Sequence, residues 1–184
     1  ESIPRNFDAA KLFYNDEFAP IFEIALPMTR DARELIRISQ YYKNHVVGKQ
    51  HHKLSGITIA EWIGHFKPET LRIIPLIEEK DNILNPEKIV EGYVKEEKIQ
   101  EYQRVWLARS DPALNYGNLA TVLMLKVSFQ KLYDLQKKLS VDILPILGCG
   151  SAPFRGNFKP TNVKNCIHGY PSVHTYTLQS AFKY

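Results

Sequence analysis

Ile73–Glu78 reads I-I-P-L-I-E and Val105–Asp111 reads V-W-L-A-R-S-D, and the fold follows from these two stretches. Each is a short apolar run, the mark of a buried strand, and each reaches a carboxylate within three residues of its end. Between them, Asn85-Pro86-Glu87 offers a cap residue followed by a proline at the first helical position. Ile89, Val90, Tyr93 and Val94 recur behind it at helical spacing. Strand, helix and strand in this order form a βαβ unit, whose strands run parallel. Parallel strands present their C-terminal ends on one face, so Glu78 and Asp111 converge whatever their separation in sequence.

The same rhythm extends in both directions. Apolar runs at Phe22–Leu26, Leu71–Ile77, Gln103–Ala108, Asp142–Leu147 and Thr175–Ala181 predict five strands. A helix is expected from Arg30 to about His45, with Ala32, Leu35, Ile36 and Ser39 toward the core. A longer one is expected between Gly117 and Ser140. There Leu119, Val122, Leu123, Val127, Leu132, Tyr133 and Leu139 form a wide apolar stripe, expected to be largely buried on the sheet. The fold class is therefore α/β: a portion of a parallel (β/α)8 barrel of the TIM type with extra helices, residues 1–184 forming one partial barrel domain. A closed eight-stranded barrel takes about 250 residues, against 184 here. The expectation is an internal piece of a longer chain, whose remainder covers the open sheet edges.

Composition sets the broad class. With 44% hydrophobic and 24% charged residues and a net charge of +4, the chain reads as an ordinary soluble domain with no nucleic-acid signature. No apolar run approaches the ~18 residues of a membrane span, and no segment resembles a signal peptide, so no membrane association and a cytoplasmic location are expected. Cys149 and Cys166 lack both metal-ligand spacing and a secreted framework, and are read as reduced thiols.

Other local features carry two readings each. Lys43–Lys53, K-N-H-V-V-G-K-Q-H-H-K, is a solvated basic loop or an anion or metal site, although adjacent His51 and His52 suit chelation poorly. His168 and His174 flank the turn signal Gly169-Tyr170-Pro171 and read as surface residues. Cys149, between two glycines after a strand, is a nucleophile or an inert buried thiol. Glu78 and Asp111 are helix caps or a metal pair. The stretch G-C-G-S-A-P-F-R-G-N at Gly148–Asn157 favours the second reading of the carboxylates. Glycines there admit an anion close to the backbone, and the Arg155 fork can hold phosphate or carboxylate. Two hard oxygen donors suit Mg²⁺ or Mn²⁺.

At these residues the chain resembles the phosphoenolpyruvate carboxylase family, in its short archaeal-type branch. The stretches that carry the resemblance are R-I-I-P-L-I-E-E-K-D-N-I-L at Arg72–Leu84, A-R-S-D-P-A-L-N-Y-G at Ala108–Gly117, D-I-L-P-I-L-G-C-G-S-A-P-F-R-G-N at Asp142–Asn157 and T-Y-T-L-Q-S-A-F-K-Y at Thr175–Tyr184. The resemblance implies metal ligation by Glu78 and Asp111, a catalytic Arg155 that also binds the phosphate or carboxyphosphate, and substrate contact through Gln179. It implies carboxylation of phosphoenolpyruvate by bicarbonate with Mg²⁺ or Mn²⁺, in a homo-oligomer, a tetramer by the family's pattern. Two departures stand out. Gly148 and Cys149 occupy the neighbourhood where the bacterial and plant branch has a histidine and an extra arginine, and Pro112–Asn115 replaces a lysine after the metal aspartate. The family's essential histidine and later arginines lie outside these motifs, so residues 1–184 alone are expected to be inactive. The alternatives are another metal-dependent, enolate-stabilising barrel enzyme, pyruvate kinase-like or lyase-like, and a non-catalytic scaffold.

Overall fold

A computed structural model of the chain describes residues 20–177 together with residues 3, 5, 9 and 10. Its five-stranded sheet has the order β1 (Glu23–Leu26), β4 (Arg72–Ile77), β5 (Tyr102–Ala108), β6 (Asp142–Gly148) and β7 (Thr175–Tyr176). The β4–β5, β5–β6 and β6–β7 pairs are parallel. All five expected strands are present, although the last run is described only as far as residue 177. A second, two-stranded sheet joins β2 (Lys53–Leu54) to β3 (Ile57–Thr58). Contacts divide the chain into two units, residues 1–24 with 35–73 and residues 25–34 with 74–184.

The larger unit holds the βα repetition. Helix α3 (Lys80–Leu84) and helix α4 (Pro86–Glu96) lead from β4 to β5, with Pro86 at the start of α4 as the sequence predicts. Between β5 and β6 come α5 (Ser110–Tyr116) and the 22-residue α6 (Asn118–Leu139). Helix α6 ends at Ser140, which adopts a left-handed conformation at φ 54° and donates its N–H to Gln136 O. Helix α7 (Val163–Gly169) precedes β7. Ile77, Val105, Leu107 and Leu147 on the strands, and Ile83, Val90 and Leu125 on the helices, are all 0% exposed. Each such side chain contributes about 1.5–3 kcal/mol by leaving water, and together they fix helices on one face of the sheet.

Helix α6 corrects one expectation. Of the seven stripe residues only Leu132 is buried, while Leu119, Leu123, Val127 and Tyr133 are exposed. The buried face is instead Thr121, Met124, Leu125, Ser128, Phe129, Leu132 and Leu135. Two hydroxyls make this possible by returning their hydrogen bonds to the backbone: Thr121 Oγ1 donates to Gly117 O, and Ser128 Oγ to Met124 O and Ile83 O. A small polar residue satisfied in this way occupies a close helix contact that a larger apolar side chain would hold apart.

Helix α1 (Ala32–Tyr41) loses its regular α form earlier than the predicted His45. It passes into a π turn at Tyr42–Val46 and a 3-10 turn at Val47–His51. The β-branched pair Val46-Val47 followed by Gly48 weakens α-helical continuation. The basic stretch is therefore mostly helical and carries its own core: Val47 and Gln50 are buried, and Gln50 Oε1 accepts from Phe66 N at 3.1 Å. Its Lys49, His51, His52 and Lys53 are exposed. The hairpin β2–β3 leads into α2 (Ile59–Ile63), capped by a reciprocal Thr58–Glu61 box.

Candidate active site

Strand register places the site. Ile77 pairs with Leu107, Leu107 with Leu147, and Ala108 with Gly148, so Glu78 falls level with Ala108 and Gly148 at the C-terminal edge. Asp111 comes one step later, in the first turn of α5, a short helix held by the buried Pro112 and Ala113. Both carboxylates line one cleft of about 270 Å³, together with Leu76, Trp106, Arg109 and Cys149. Leu76 and Glu78, like Trp106 and Ala108, are two residues apart and project from the same sheet face. That face is opposite the one covered by helices, and it is the interior of a barrel layout.

Two larger hollows, of about 440 and 410 Å³, lie between α6 and residues Gly169–His174. Neither is lined by a carboxylate, so neither offers the oxygen donors that a hard cation takes. His168 and His174 are exposed, in agreement with the surface reading.

Charge separates Glu78 from its neighbour. Glu79 pairs with Arg30 at 2.5 Å, whereas Glu78 and Asp111 have no hydrogen-bond or ion-pair partner among the described residues. Burial, and then the nearby charge of Asp111, raise the Glu78 carboxyl above its ordinary range. Two unneutralised carboxylates in one cleft attract a cation. No group of three or more Cys, His, Asp or Glu capable of holding a metal occurs among the described residues. Structural and catalytic zinc sites take three or four protein ligands, but Mg²⁺ is commonly held by one or two carboxylates with water and substrate oxygens. The donor set thus suits a hard divalent ion.

The glycine loop borders this cleft through Gly148 and Cys149. Gly150 N donates to Arg155 O at 2.7 Å, Phe158 N to Gly150 O at 2.8 Å and Asn157 N to Ala152 O at 3.0 Å, which closes the loop around the 3-10 turn Pro153–Arg155. Arg155 is half-buried, with its guanidinium carbon 5.4 Å from the Phe154 ring centroid, and its side chain is not part of the cleft lining. Gln179 lies outside the described residues. Cys149 is 4% exposed and burial pushes its thiol up to about 12, so the inert reading of that residue holds. Cys166 is also free and buried. The residue the sequence reading passed over is Arg109. It is 5% exposed and lines the cleft beside the carboxylates. A cation set directly after a buried strand, where a small residue would do, is the signal that could have found it.

A parallel sheet with helices on one face and polar groups gathered at its C-terminal edge defines an α/β barrel layout, present here in part. The crystal structure of an HpcH/HpaI aldolase from Desulfitobacterium hafniense shares that fold, with a TM-score of 0.51 at 12% identity, over 90% of this chain and 61% of that one. The family model for phosphoenolpyruvate carboxylase matches residues 1–184, and the chain belongs to that family. Phosphoenolpyruvate carboxylases from Methanospirillum hungatei, Halobacterium salinarum and Caldivirga maquilingensis are 48%, 47% and 43% identical over the whole of this chain. The chain spans 38%, 38% and 36% of their respective lengths. These matches do not favour a pyruvate kinase-like or lyase-like enzyme, or a scaffold. No helix among the described residues is long and apolar enough to cross a membrane.

Proposed function

We propose that the protein containing this chain carboxylates phosphoenolpyruvate with bicarbonate to give oxaloacetate and phosphate. The observation that carries the reading is the Glu78–Asp111 pair, unneutralised and at adjacent strand ends in a chain of this family. Glu78 and Asp111 would hold Mg²⁺ or Mn²⁺, and such an ion supplies Lewis-acid stabilisation of oxygen charge at the strand ends.

The chemistry builds up negative charge at each stage. A bicarbonate oxygen attacks phosphorus, the enol C–O–P linkage breaks at phosphorus, and carboxyphosphate and the pyruvate enolate result. Carboxyphosphate then splits into carbon dioxide and phosphate, the bicarbonate proton leaving with phosphate, and the enolate carbon bonds to carbon dioxide. Arg155 on the glycine loop is positioned by sequence to neutralise phosphate and carboxyphosphate once that loop closes over the cleft, and Gln179 to contact substrate. Leu76 and Trp106 give the cleft an apolar wall. Excluding water there prevents protonation of the enolate to pyruvate. We further propose a cytoplasmic homo-oligomer, a tetramer by the family's pattern, with no nucleic-acid or membrane partner.

The test is oxaloacetate formation, coupled to malate dehydrogenase, with phosphoenolpyruvate, bicarbonate and Mg²⁺ or Mn²⁺. Product that requires both bicarbonate and the metal, and is abolished by Asp111→Ala, is expected. Product formed without bicarbonate, or unaffected by Asp111→Ala, would refute the reading.

A further inference from the structure

We infer that Arg109 is a positioning residue, a buried clamp that ties the Asp111 segment to the peptide carrying Arg155. The inference deepens the proposed function and rests on it.

Arg109 precedes α5 and reaches across to the glycine loop. Its Nη1 donates to Phe154 O at 2.5 Å and its Nη2 to Asn118 Oδ1 at 2.9 Å. Phe154 O belongs to the peptide unit that joins Phe154 to Arg155, so the first bond sets the plane from which the Arg155 side chain departs. The second bond fixes the fork against the start of α6. Asp111 is two residues along the chain from Arg109, so a single side chain links the carboxylate pair to the loop arginine.

The energetics argue against an incidental contact. Arg109 is 5% exposed and, among the described residues, makes no ion pair, and its Nε is buried without a hydrogen-bond partner. A buried cation balanced only by a carbonyl and an amide is costly, and an apolar side chain of similar length would cost less. The loop is otherwise closed on itself by its own backbone hydrogen bonds. Its further links to neighbouring structure hold only its far end: Cys166 Sγ donates to Gly156 O at 3.2 Å and Asn162 Nδ2 to Asn157 O at 3.0 Å. Without Arg109 the turn would keep its internal shape and that anchor, but the Phe154–Arg155 peptide would lose its bearing on the cleft. A planar fork suits this task because it directs two donors along fixed and different lines, which a lysine ammonium cannot do.

Cys149 supplies a readout independent of turnover. It lies beneath the same loop: a Cβ added to Gly156 would sit 3.1 Å from Cys149 Sγ and 3.5 Å from Arg109 Cδ. A loosened loop exposes this thiol. The experiment compares wild type, Arg109→Met, Arg109→Lys and Asn118→Ala in the full-length enzyme. It measures Cys149 alkylation by N-ethylmaleimide with mass spectrometry, Mn²⁺ binding by electron paramagnetic resonance, and kcat and KM.

Arg109→Met is expected to speed Cys149 labelling tenfold or more. Its kcat should fall at least tenfold, with KM changed less and Mn²⁺ binding retained. Arg109→Lys should recover part of both effects. Asn118→Ala removes only an exposed partner, so it should fold even if Arg109→Met does not, and it should show the same pattern more weakly. Unchanged labelling in a folded Arg109→Met, or in Asn118→Ala if the former does not fold, overturns the clamp. So does a loss of kcat with labelling unchanged, which would make Arg109 a direct contact of substrate. A wild-type enzyme that makes no oxaloacetate defeats the proposed function instead, and the labelling comparison then still decides the clamp.

Discussion

Glu78, directly after β4, and Asp111, in the first turn of α5, line one cleft, and the Glu78 carboxyl is raised, by burial first and by the charge of Asp111 second. A carboxyl raised on folding favours the folded state in its protonated form. That contribution is complete below its ordinary value of 4.5 and is lost as pH rises through the raised one. In metal-free protein, Glu78→Gln should therefore melt above wild type at pH 7, by at most about 2 °C given the exposure of the site. The difference should vanish by pH 4. Saturating Mg²⁺ should reverse the order at pH 7, because only the wild type gains from binding. Thermal melts with chelator and with Mg²⁺ check each part, and a wild type more stable than Glu78→Gln in chelator would contradict it.

Arg155 is expected to act on charge that develops during the reaction rather than on the resting metal site. Arg155→Ala should lower kcat by about 10²-fold or more while Mn²⁺ affinity stays within a factor of two. Arg155→Lys keeps the charge without the fork and should fall between. Steady-state kinetics with a parallel Mn²⁺ titration separates the two effects, and unchanged turnover in Arg155→Ala removes the residue from the mechanism.

Gly156 is a tight point of the loop. At φ 120° it holds a conformation that L side chains rarely adopt, and a Cβ there would press on Cys149 Sγ. Gly156→Ala should destabilise the protein by about 1–3 kcal/mol. Adding Cys149→Ala removes the contact but leaves the backbone strain, so the double variant should recover only part of the loss. Denaturant titration of the three proteins tests this, and full recovery would show that the backbone conformation costs little.

Gly92 in α4 sets two opposing effects against each other. Replacing a helical glycine by alanine gains about 1 kcal/mol in propensity. A Cβ at Gly92, however, would lie 2.8 Å from Ala32 Cβ at the start of α1, and overpacking of that kind costs about 1–3 kcal/mol. The net expectation for Gly92→Ala is a loss of about 1 kcal/mol, read from the denaturation midpoint. A stabilised variant would show that α1 yields at little cost.

Local chemistry alone determined the strands, their parallel order and the carboxylates that end two of them. An apolar run between turn signals stays a strand wherever it packs, and the helix after Asn85-Pro86 forces the parallel crossover, so Glu78 and Asp111 were legible as a pair. The hairpin at Lys53–Thr58 was not, because its paired strands are only two residues each. The inward face of α6 was decided by the tertiary structure. Apolar residues lie on both sides of that helix, and the choice fell to the small Thr121 and Ser128, whose close approach pays off only once a neighbour is there to be approached. The Arg109 clamp belongs to the same class. Its partner carbonyl at Phe154 is 45 residues away in sequence, and no local pattern specifies a hydrogen bond that exists only after two loops have been brought together at the edge of a folded sheet.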